Sequence, residues 1–163
     1  MRRGALRLAV PAAAAALLAG CGGGGSGVIT VAAVETPQAG AGAVFHVPAG
    51  ATVVHAGPGA VRAAIVRDGD RIRITLAPNH AGRQNVVTVS VRRGGRPVQG
   101  AGVHLDAGML DMGMGVAAYR LAGPRHRGAL PAWGMPGRWG LGFTITAPGS
   151  KPVRVVVIDA MGR

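Results

Sequence analysis

The chain has 163 residues, 48% of them hydrophobic but only 3% aromatic, with 29 glycines. That is one domain's worth of protein, too short for two ordinary domains plus linkers, and a composition of small apolar residues and glycine favours strands and turns over a helical bundle. The net charge of +12 comes from 18 basic residues, all but Lys151 arginine, against 6 acids. Such a surface attracts anionic lipids and envelope polymers, but the arginines are dispersed and stacking aromatics scarce, which argues against nucleic acid as a partner.

Taken in chain order, Arg2 and Arg3 open a basic segment and residues 8–19 form an apolar run. That run is shorter than the roughly 20 residues a bilayer span needs, and fits a cleavable export signal. Leu18-Ala19-Gly20-Cys21 then resembles the lipobox of bacterial lipoproteins, in which the cysteine is acylated and becomes the mature N-terminus. Cys21 is the only cysteine, so no disulfide is available once it is lipidated. Two or more acyl chains would hold the protein at a bacterial membrane without a spanning helix. Residues 22–27 (GGGGSG) read as a flexible tether.

Residues 28–70 are expected as an N-terminal extension whose short strands add edge strands or a hairpin: apolar pieces at 44–47, 52–55 and 61–66 are punctuated by Pro48-Ala49-Gly50 and Gly57-Pro58-Gly59. Asp68 and Asp70 flank Gly69 and read as turn formers rather than paired catalytic acids. From residue 71 the alternation sharpens. Ile72, Ile74 and Leu76 share one face, as do Val87, Val89 and Val91 after a loop at 78–84. A turn at 92–97 leads to a strand around Val103-His104-Leu105, and 116–121 and 129–133 follow as candidates. Residues 139–145 (WGLGFTI) put every large side chain on one side, and 153–158 close the domain. About seven short strands over 71–159 predict an all-β, immunoglobulin-like sandwich.

Catalysis has little to work with. Glu35, Asp68, Asp70, Asp106, Asp111 and Asp159 are the whole acid supply, and no nucleophile elbow, phosphate loop or zinc-protease motif occurs. A non-enzymatic protein is expected. The methionines stand out instead: Met109, Met112 and Met114 lie within seven residues, and Met135 follows. Thioethers are soft, neutral donors that select Cu(I), and in an exported protein they replace oxidisable thiols. Met112 and Met114 share a face if extended, whereas Met109 has the opposite parity and joins them only through a bulge or loop. Core filling is the alternative role for all of them. His104, five residues before Met109, is the candidate histidine to supplement a site, and no histidine pair has Zn(II) spacing.

Four stretches together resemble the YtkA-like (FixH-related) domain: Asn85-Val86-Val87-Thr88-Val89, residues 95–103 (GRPVQGAGV), Met112-Gly113-Met114-Gly115 and Met135-Pro136-Gly137-Arg138-Trp139. That domain also ends some CopD-type copper-transport proteins. The resemblance covers about residues 71–159. It implies an exported immunoglobulin-like sandwich associated with copper handling, and matches Met109, Met112, Met114 and Met135 to the family's methionine positions. Leu110 stands where the family usually has proline, and 120–131 lack a clear counterpart. The sequence thus points to a lipid-anchored Cu(I) chaperone or buffer serving an envelope transporter or cuproprotein. A metal-free structural or interaction module is the alternative.

Overall fold

The computed structural model describes residues 45–162 apart from 111, 114, 124, 131 and 134. The export signal, Cys21, the tether and Met114 lie outside the described residues. Within them are ten strands and no helix: β1 (Thr52–Ala56), β2 (Val61–Arg67), β3 (Asp70–Ala77), β4 (Asn85–Arg93), β5 (Arg96–Pro97), β6 (Gly102–Met109), β7 (Val116–Leu121), β8 (Arg127–Leu130), β9 (Gly137–Thr146) and β10 (Val153–Met161). They form two five-stranded sheets. The first runs β2-β3-β4, with β5 and β8 sharing the far edge of β4; the second runs β1-β10-β9-β6-β7.

The expected alternation sets which faces meet. Ile72, Ile74 and Leu76 of β3 lie directly opposite Val91, Val89 and Val87 of β4, and all six are buried. From the second sheet, Val103 and Leu105 of β6, Leu141, Phe143 and Ile145 of β9, and Val155 and Val157 of β10 complete the core. Each such side chain contributes about 1.5–3 kcal/mol by leaving water.

Residues 52–67 supply an edge strand to each sheet. β1 lies parallel to β10, with Thr52 beside Val155, and β2 pairs along its length with β3, so both are strands of the sandwich. The periodicity of 61–67 is only half-buried, because Val66 and Arg67 face solvent. That blurs the pattern a sequence shows.

Asp70 also differs from its expected role. Asp68 and Gly69, both at positive φ (49° and 80°), make the two-residue hairpin turn, while Asp70 is the first residue of β3 and 2% exposed. Its cross-strand partner Arg93 grips it with two bonds, Nε to Oδ1 at 2.7 Å and Nη2 to Oδ2 at 2.9 Å. Ser150, in the β9–β10 turn of the other sheet, donates to Oδ2 at 3.0 Å, and Arg93 Nη1 donates to the Pro148 carbonyl at 3.2 Å. The Arg93 fork holds the Asp70 carboxyl below the usual carboxylate range. Its stabilisation is therefore complete above the unfolded value of about 3.9 and is lost as pH falls through the folded value.

Asp159 has the opposite environment. It is fully buried on β10, accepts one bond from Asn79 Nδ2 at 2.9 Å, and leaves its own Oδ2 and Asn79 Oδ1 without partners. Burial pushes this carboxyl up, and the Asn79 bond offsets only part of that. The native state then holds more protons than the unfolded chain between about pH 3.9 and the folded value, so this group's contribution falls as pH rises through that window.

The outer face of the second sheet is floored by glycine. Gly108 of β6 pairs with Gly140 of β9, Gly142 lies two residues on, and Phe45 covers all three, its ring over Gly140 and Gly142 and its Cβ over Gly108. A Cβ on Gly140 would overlap the ring, one on Gly142 would sit 3.1 Å from it, and one on Gly108 would sit 3.2 Å from the Phe45 Cβ. Phe45, which the sequence places in the extension, is thereby 6% exposed.

Two outcomes follow. Gly140→Ala should destabilise the protein by about 1–3 kcal/mol in urea unfolding, and by much less in a Phe45→Ala background, because the clash is with that ring. Asp159→Asn should raise the urea midpoint at pH 7 and have a smaller effect at pH 4, because the cost of the buried charge declines as pH falls.

Candidate functional site

One end of the sandwich gathers the methionines. β6 finishes at Met109, directly opposite Trp139 of β9, and the Leu110 amide donates to the Arg138 carbonyl at 3.0 Å as the chain leaves the sheet. Met109 is on the inner parity of β6 and 5% exposed. Its methyl lies over Gly137, where a Cβ would come within 2.9 Å of Met109 Cε. On the other side of Gly137 its β10 partner is Met161, 3% exposed. Directly opposed residues hold their Cβ positions about 5 Å apart, so Met109 and Met161 flank one glycine-sized gap.

Aromatic packing shapes the same end. Trp133 and Trp139 stack with ring centroids 4.6 Å apart and planes 13° from parallel. Trp139 Nε1 donates to the Met135 carbonyl at 3.3 Å, which positions the 135–137 segment, and Met135 packs half-buried against the core. The Trp133 indole bonds to the Tyr119 hydroxyl on β7, and burial pushes that phenol up. Met112, in the loop between β6 and β7, is 48% exposed. Of the expected thioethers, then, Met109 is a core residue, Met135 lies at the margin and Met112 is at the surface.

His104 does not join them. It sits on the outer parity of β6, between Arg120 and Thr144, and its Nε2 is 3.1 Å from Asp106 Oδ1 two residues along the same face. Five strand residues separate it from Met109 by about 17 Å, on opposite faces of the sheet. Parity and rise together remove it from the methionine end.

Two residues at this end were not expected as site residues. Met161 lies beyond the 153–158 strand that the sequence predicts, and β10 continues through it. His80 lies in the 78–84 loop, bridges Gly162 next to Met161, and is half-buried. Asn85 folds that loop: its Oδ1 accepts from the Asn79 and His80 amides at 2.7 and 3.1 Å, and its Nδ2 donates to the His80 carbonyl at 3.0 Å. The Gly82 amide then donates to the Trp133 carbonyl at 2.7 Å, locking loop and tryptophan pair together. Adjacency of His80 to Met161 depends on pairing between distant segments, for which the sequence carries no local signal.

The donor set at this end is soft and neutral, apart from one imidazole. Among the described residues no three His, Cys, Asp or Glu side chains group as a metal site, so a metal held here would rest on thioethers. No protein-family model, no curated protein and no solved structure matches this chain.

Met109→Leu and Met161→Leu keep side-chain volume and should each cost under about 1.5 kcal/mol while preserving the near-ultraviolet circular dichroism of the stacked tryptophans. Gly137→Ala should cost more than either, since its φ of +147° disfavours a side chain and its Cβ would strike Met109.

Proposed function

We propose that this protein is an exported, lipid-anchored β-sandwich that binds Cu(I) through thioethers at one end and acts as a chaperone or buffer for an envelope copper transporter or cuproprotein. The observation that carries this reading is the gathering of Met109, Met112, Met135 and Met161 where β6, β9 and β10 finish or begin. Met112 is exposed and Met135 half-buried, while Met109 and Met161 belong to the core. No thioether has to lose a proton to bind, so such a site stays competent in acid. The likeness of residues 112–115 and 135–139 to the YtkA-like, immunoglobulin-like domain supports the same reading. The lipobox-like Leu18-Ala19-Gly20-Cys21 supports the anchor.

Burial favours a second reading. With Met109 and Met161 inside the hydrophobic core, the methionine end can be a packing device, and the protein a metal-free interaction module of the envelope.

Cu(I) titration against a competing chelator separates the two. The chain used carries Cys21→Ser, which removes its only thiol, and is compared with the same chain bearing Met112→Leu, Met114→Leu and Met135→Leu. Saturable binding of one equivalent, weakened at least tenfold in the triple variant, is the expected result. Absence of binding in both folded proteins would reduce the methionines to packing.

A further inference from the structure

The outer face of the first sheet carries a second feature, unrelated to the methionines. A groove of about 440 Å³ runs over β3 and β4, lined by Arg71, Arg73, Ser90 and Arg92, with the hairpin glycines Gly69, Gly94 and Gly95 at its end. Arg71 and Arg92 are direct cross-strand partners, and Arg73 faces Ser90 one pair further on. Like charges directly opposed in a sheet destabilise it unless something compensates them. Among the described residues no carboxylate pairs with them. The ion pairs among the described residues are Arg93–Asp70 and His104–Asp106, and none of the three groove arginines takes part in one.

Strand parity explains the imbalance. Asp70 and Arg93 point to the inner side and neutralise each other, so the hairpin's buried carboxylate is used up there. On the outer face, β2 presents Arg62, Ala64 and Val66, β3 presents Arg71, Arg73 and Thr75, and β4 presents Thr88, Ser90 and Arg92. No carboxylate faces the groove from any of these strands. Asp68, at the exposed hairpin tip, is the nearest acid in sequence and makes no ion pair with them.

We infer that this groove binds an extended phosphodiester polymer through its backbone. Guanidinium forks match phosphate oxygens in paired hydrogen bonds, and Ser90 adds a neutral hydroxyl between them. The backbone positions that carry the arginines are spaced about 5 Å across the strands and about 7 Å along β3, within side-chain reach of successive phosphates of an extended chain. The glycine hairpins leave the groove end open for a polymer to run out, since a Cβ on Gly69, Gly94 or Gly95 would meet nothing within 4 Å. No aromatic side chain lines the groove, so bases would find no stacking surface; the ligand class is a base-free polymer such as poly(glycerol phosphate). The arginines lie in a concavity on a sheet, which fits a thread better than the plane of a bilayer.

The test is fluorescence anisotropy of labelled poly(glycerol phosphate) with the full chain in non-ionic detergent, across a salt series. Three other probes run beside it: single-stranded DNA, polygalacturonate and vesicles containing phosphatidylglycerol. Expected is binding tightest to poly(glycerol phosphate), falling linearly in log affinity against log salt. In the variant Arg71→Gln/Arg73→Gln/Arg92→Gln it should weaken at least tenfold, with a salt slope smaller by about 2. Arg120→Gln/Arg154→Gln, which removes two exposed charges from the other sheet, should keep the affinity within about threefold. Equal losses in the two variants would reduce the effect to net charge and overturn the proposal. So would absence of binding, a preference for vesicles, DNA or the polycarboxylate, or binding indifferent to salt. Urea midpoints no lower than the parent's in both variants, with a rise expected where the opposed Arg71 and Arg92 are removed, distinguish loss of the groove from loss of the fold.

Discussion

The fork between Asp70 and Arg93 is the constraint on which the arrangement of the first sheet rests. A carboxylate at the start of β3 sits on the buried parity, where its charge is tolerable only with a bidentate partner directly opposite. That pairing sets the β3–β4 register: Asp70 against Arg93 puts Ile72 against Val91, and so on to Leu76 against Val87. A one-residue slip would turn the isoleucines to water and Arg71 and Arg73 into the core. The same two residues reach Ser150 and the Pro148 carbonyl in the opposite sheet, so the fork that sets register also ties the sheets together at that end.

At the other end the sheets are held differently. Asn85 closes the 78–84 loop with four side-chain bonds, the Trp133–Trp139 stack fills the space above it, and Asp159 reaches Asn79 across the interior. The two acids in the interior thus have opposite electrostatics. Asp70 is stabilised as an anion by an arginine, while Asp159 has only an amide and resists ionisation. The fold has its charged staple at one end and its neutral polar one at the other, beside the methionines.

The two sheets also present different chemistries outward. The first shows Arg71, Arg73 and Arg92 over a groove, with no ion-pair partner among the described residues. The second shows a glycine floor that its own chain covers with Phe45, so an apolar outer face is closed internally. Met109 and Met161 belong to neither outer face but to the core at the sandwich end, where β6 and β10 terminate.

Much of this was legible locally. Alternation is a property of neighbouring residues, so the inward faces of β3, β4, β6 and β9, the turns between them and the outward parity of His104 follow from the order of side chains alone. The methionine motifs and the dispersal of arginine were equally visible. What strand order and pairing decided is everything that joins distant segments. Asp70 became an ion-pair partner instead of a turn residue because Arg93 lies across the ladder from it. Met161 and His80 came to the methionine end, and His104 was removed from it, because β10 runs beside β9 and the 78–84 loop reaches Gly162. Residues 52–67 proved to be strands of the sandwich because β1 and β2 find partners in β10 and β3. The glycines facing away from the core in 139–145 were apparent, but not that Phe45 fills the space they leave. Parity is fixed within a few residues by backbone geometry, whereas adjacency depends on which faces bury each other, and only the closed sandwich settles that.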